Sequence, residues 1–134
     1  MTSAHEFKLA NKIAAIAAIV VLLGLFIFSH IYVGNMSREI TMYVVKAETD
    51  VHAQNWASAE ANLQQIDKRF QASGDVLKLF FDHEDVDMLD TEISTALHLV
   101  KVQEPAEIFL SLENIKSIAT YLAGIESFTF PNLF

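Results

Sequence analysis

The residues of this chain best equipped for chemistry lie close together: Asp82, His83, Glu84, Asp85, Asp87, Asp90 and Glu92 put six carboxylates and one imidazole into eleven positions. On a helix, His83, Asp87 and Asp90 share a face at i, i+4 and i+7, so His83, Glu84, Asp87 and Asp90 are the candidate ligands of a divalent cation. The spacing is not that of a specialised site. It lacks the glycine and the ordered oxygen donors of a calcium loop, and it is not the His-Glu-x-x-His of a zinc helix. Acids in a first helical turn are also stabilised by the helix dipole, by about 0.3 to 1 kcal/mol each, and this accounts for Asp82, Glu84 and Asp85 without any ion. For His83 the plainer expectation is a hydrogen bond to a neighbouring helix. Its acidic neighbours favour the imidazolium, which keeps a pH-responsive role open.

No other chemistry is legible. Ser58, Ser73 and Ser94 lack the strand-turn-helix setting of a nucleophile, and the four glycines are too scattered to cradle a phosphate. Cysteine is absent, which excludes disulfides and thiolate catalysis. No enzyme activity and no cofactor is expected.

Positioning falls to one dominant element. Residues 13–28 contain no side chain more polar than alanine, and eleven of them are Ile, Val, Leu or Phe. Together they favour insertion into a bilayer by roughly 4 kcal/mol. Extended to Val33, the helix is about 31 Å long, which matches a hydrocarbon core of about 30 Å. A chain of 134 residues has too little other material to wrap a helix that is apolar all round. Lys8 and Lys12 precede the run as in a signal peptide. A small-x-small cleavage site is missing, so the segment is expected to be an uncleaved signal anchor. The expected division is a cytoplasmic N-terminus at 1–12, a transmembrane anchor at 13–33, a helical domain at 34–126 and an aromatic tail at 127–134. Lys12 abuts the span whereas Arg38 is set back from it, which tilts the orientation towards an extracytoplasmic domain.

Of seventeen acidic and nine basic residues, only Glu6, Lys8 and Lys12 precede the span, leaving sixteen acids against seven bases beyond it. Such a surface repels nucleic acid and anionic headgroups. Apolar residues then recur at helical spacing in four stripes: Ile40, Val44, Ala47 and Val51; Trp56, Ala59, Leu63, Ile66 and Phe70; Val86, Leu89, Ile93, Leu97 and Val100; Ile108, Leu112, Ile115, Ala119 and Leu122. Asn55 is a candidate N-cap, Ser73-Gly74-Asp75 a turn, Asp82 a second cap with Phe81 stapling to Val86, and Glu104-Pro105 a helix restart. The first two domain helices are accordingly expected at about 36–53 and 56–72. The fold class is all-α: an N-terminal transmembrane helix followed by a small antiparallel four-helix bundle. Phe128, Phe130, Leu133 and Phe134 are too apolar for a solvated tail, and with Trp56 they are the candidate interaction residues.

This combination of a lone N-terminal span, Trp56, Ala59 and Leu63, the Phe81-Asp82-His83-Glu84 segment with Val86 and Asp87, and a terminal Asn132-Leu133-Phe134 resembles a family of uncharacterised single-span bacterial membrane proteins, domain of unknown function 4363. Phe70 stands where that family often has a second Trp. The resemblance implies a small extracytoplasmic helical domain without known enzymatic activity, accompanying a multi-span membrane protein. The expected function is thus a membrane-anchored accessory or interaction protein, its partners the lipid bilayer and a membrane protein, with self-association as a further option. The alternative is a cation- or pH-responsive element built on residues 82–92.

Overall fold

The computed structural model describes residues 2–129, with side chains placed over residues 3–125. It contains four helices: α1 Thr2–His52, α2 Trp56–Phe80, α3 His83–Val102 and α4 Pro105–Thr129. Among the described residues there is no strand. Each helix packs on two neighbours in the cyclic order α1, α2, α3, α4 and back to α1. Short connections make successive helices antiparallel, which closes the four stripes into one core.

α1 is two things in sequence. Over its first half the large apolar side chains are open to the surroundings, from Ile13 through Val20 and Leu22 to Phe28. From Ser29 onwards a buried stripe begins, and Val33, Met36, Ile40, Val44, Ala47 and Val51 all enter the core. The helix passes through Gly34 and Asn35 without a break. The expected division between residues 33 and 34 therefore falls inside one rod, and the core begins a turn earlier, at Ser29.

The two connections far from the apolar half are built alike. Gln54 and Gln103 each take a left-handed backbone with φ 57°. Asn55 N–H then donates to the Asp50 carbonyl and Glu104 N–H to the Leu99 carbonyl, closing α1 and α3 in the same manner. Asn55 caps α2 as expected, its side chain accepting from Ser58 N–H at 3.4 Å. Pro105 opens α4 at the position where its missing N–H costs nothing.

The third connection, between α2 and α3, departs from expectation. Ser73-Gly74-Asp75 is not a turn: α2 continues to Phe80, and Ser73 is buried. The stripe Ile66, Phe70, Ser73, Leu77 keeps its 4-3-4 spacing through Gly74, and burial of Leu77 and Phe81 outweighs the roughly 1 kcal/mol that a mid-helix glycine costs. The corner lies instead at Phe81 and Asp82. Asp82 occupies the cap position of α3, but its side chain makes no capping hydrogen bond. Phe81 and Val86 are both buried and staple the corner hydrophobically.

Candidate functional site

The predicted ligand set sits at the start of α3. His83, Glu84 and Asp87 are exposed, and half-buried Asp90 accepts a hydrogen bond from Gln71 Nε2 at 3.1 Å, tying α3 to α2. Among the described residues no three His, Asp or Glu side chains come together closely enough to hold a metal ion. The helical face exists, but its donors diverge into solvent. Glu84 and Asp85 lie in the first turn of α3, where the dipole reading placed them. His83 begins the helix as an exposed side chain, not as the interhelical hydrogen-bonding group anticipated. Trp56 lies at the opposite end of the bundle, about 36 Å away along α2, and packs half-buried against the core. Phe128 lies in α4 with its side chain outside the described residues, and Phe130, Leu133 and Phe134 lie outside them altogether.

The densest polar constellation is one that the sequence did not single out. Where the apolar half of α1 meets the bundle, Arg69 of α2 donates from Nε to Glu39 Oε2 at 2.7 Å and from Nη1 to Ser73 Oγ at 2.7 Å. The Tyr32 hydroxyl donates to Ser73 Oγ at 3.3 Å, and Ser73 Oγ–H donates to the Arg69 carbonyl at 2.9 Å. The guanidinium also stands 5.2 Å from the centroid of the Tyr32 ring. Burial disfavours its charge, but hydrogen bonds to Tyr32 and Glu39 outweigh that and raise the Arg69 pKa above its ordinary value. The knot thus joins α1 to α2 with every member engaged. One signal did point to it: Ser73 interrupts an apolar stripe, and a hydroxyl on a core face needs partners, which Arg69 one turn earlier supplies.

Other interhelical ties are polar as well. The Asp50 carboxylate accepts from Ser58 Oγ and Asn62 Nδ2, each at 2.7 Å, fastening the start of α2. Ser111 Oγ, buried between α3 and α4, bonds Glu92 through both its carbonyl and its carboxylate. Between α1 and α4, Glu48 faces Glu113. Partial burial, then the hydrogen bond and charge of Glu113, raise the Glu48 pKa above 4.5, against the opposing pull of Lys116 and His52. Among the described residues, shallow surface depressions are lined by groups that converge on no common centre; three of them show this. The first, at the corner, is bordered by Leu79, Phe80, Asp82 and Ile125; the second runs along Met88, Ile118 and Tyr121; the third lies by His30, Gly34 and Arg38.

An uninterrupted helix, apolar and uncovered at one end and forming one quarter of an antiparallel bundle at the other, defines a single-rod helical protein whose polar chemistry serves to fasten helices together. The chain belongs to the family described as domain of unknown function 4363, whose sequence profile matches residues 27–133. No curated protein and no solved structure matches the chain. The matched range covers the whole bundle and only Ile27 and Phe28, the last two residues of the uncovered apolar run.

Proposed function

We propose that this protein is a membrane-anchored accessory subunit, its bundle held on the extracytoplasmic side and its partner a multi-span membrane protein. The observation that carries the reading is the first half of α1. This helix is long and apolar enough to cross a membrane, and within the chain almost nothing covers it, with Ile16, Val20 and Leu22 each more than half exposed. Leaving that much apolar surface in water costs about 25 cal/mol for each Å², so a bilayer is its natural solvent. The role of the bundle as a binding module is supported by its apolar core, within which Ser73 and Ser111 are hydrogen-bonded, so that recognition is left to the outer surface.

Washed membranes and tagged full-length protein test both parts. The chain should stay in the membrane fraction through an alkaline wash, and purification in mild detergent should bring a stoichiometric membrane protein with it. That partner should be lost when residues 128–134 are deleted. A chain that leaves the membrane on washing contradicts the anchor, and one that purifies alone from several mild detergents contradicts the accessory role.

A further inference from the structure

On the reading of α1 as a membrane span, we propose that the corner between α2 and α3 is a second membrane contact, with Leu79 and Phe80 entering the outer edge of the lipid chains and Asp82, His83 and Glu84 lying among the headgroups.

Heights along the rod carry the argument. The hydrogen bond between Tyr32 and Ser73 and the ion pair between Glu39 and Arg69 set these positions of α1 and α2 side by side. α2 runs back towards the apolar half of α1, and Phe80 lies seven residues past Ser73, about 10 Å further down. Counted from either tie, Phe80 stands level with residues 25–28 of α1. Leu25, Ile27 and Phe28 there are about half exposed, and they belong to the apolar run itself.

A bilayer surface drawn low enough to keep the corner in water would leave only residues 13–24 to span it, about 18 Å of helix for a core of about 30 Å. The alternative draws Lys8 and Lys12 into the lipid, at about 2.5 to 3.5 kcal/mol for a lysine at the centre and less towards the edge, where the side chain can reach out to water. Lowering the corner into the interface avoids both penalties. Its side chains suit that place. Leu79 is 78% exposed, more than any other large apolar side chain among the described residues, and Phe80 beside it is also exposed. Exposed Lys78 is placed to reach up to phosphate, and exposed Asp82 and Glu84 limit the depth, because carboxylates belong in the hydrated layer. α4 continues to Thr129, four residues past Ile125 at the corner.

Depth-dependent quenching tests the contact. Full-length Trp56→Phe protein carrying a single new tryptophan is reconstituted into phosphatidylcholine vesicles with a nitroxide placed either near the acyl carbonyl or near the chain end. Leu79→Trp and, separately, Phe80→Trp should be quenched by the shallow nitroxide more than by the deep one. Ile19→Trp should show the reverse order, and Val102→Trp, at the far end of the bundle, should be quenched by neither. If Ile19→Trp is quenched while Leu79→Trp and Phe80→Trp are not, this inference fails and the anchor stands. If Ile19→Trp also escapes, the anchor itself fails. Quenching at the corner that appears only after residues 130–134 are removed, or only on dilution of the protein in lipid, assigns the corner to the chain's own tail or to a second copy and overturns the proposal. Circular dichroism of each variant confirms that the bundle is intact.

Discussion

Replacing Arg69 by methionine should cost the bundle about 2 to 3 kcal/mol. Methionine keeps the apolar stem and removes the guanidinium, so the loss comes from three contacts. The ion pair with Glu39 is short at 2.7 Å, but the Glu39 side chain is 42% exposed and recovers water, so it contributes about 1 kcal/mol at most. The hydrogen bond to Ser73 Oγ leads into a buried site and contributes about 1 to 1.5 kcal/mol. The guanidinium over the Tyr32 ring adds about 0.5 to 1 kcal/mol. For a bundle of this size the melting temperature should fall on the order of 10 °C. Trp56 is the only tryptophan and sits at the far end of α2, so its emission during thermal or urea unfolding in nonionic detergent reports whether the bundle melts as one unit. Arg69→Lys keeps the charge without the planar fork and should recover roughly half of the loss. Glu39→Gln should reproduce only the ion-pair share. An Arg69→Met protein within about 0.5 kcal/mol of the parent would refute the reasoning, since a change that small is what an ordinary surface substitution gives.

Two further substitutions probe the fold. Gly74 is helical, and an added Cβ would meet nothing within 4 Å, so Gly74→Ala should stabilise the bundle by about 0.5 to 1 kcal/mol in the same unfolding assay; a destabilised variant would return the segment to a turn. Folding raises the Glu48 pKa above 4.5, so the folded chain binds this proton more readily than the unfolded one. The contribution of Glu48 to stability is therefore intact below pH 4.5 and is lost as pH climbs through the raised value. Glu48→Gln should raise the melting temperature by about 1 to 2 °C at neutral pH, the equivalent of a few tenths of a kcal/mol for a half-exposed pair, and change it little below pH 4.5. An equal shift at both pH values would sever the effect from protonation.

What was legible in the sequence was local. The four stripes name most of the core but miss Val33, Met36, Leu77, Ala96 and Leu99, while Asn55, Phe81 with Val86, and Pro105 mark their helix ends correctly because caps and staples depend on neighbours a few positions apart. Ser73-Gly74 has the composition of a turn, but periodicity overrides composition there, since Phe70, Ser73 and Leu77 hold the stripe across it. The left-handed Gln54 and Gln103 carry no compositional signal, since glycine is the usual residue there. In the knot the Arg69–Ser73 pair lies at helical spacing, but its ties to Glu39 and Tyr32 join residues 30 and more positions apart, which no spacing rule reaches. At the candidate metal face, i, i+4 and i+7 spacing aligns side chains along one helix, whereas a site needs donors from a second element to converge on the same point, and among the described residues none do.

α1 runs for 51 residues, about 76 Å, with no joint between the half that suits lipid and the half that suits the bundle. A stiff beam of this kind transmits angle. If the lower half answers to bilayer thickness by leaning, as spanning helices do, then the bundle leans by the same amount. From residue 33 to the end of α1 is about 29 Å, so a change of about 10° swings the far connections sideways by about 5 Å, enough to engage or release whatever they touch.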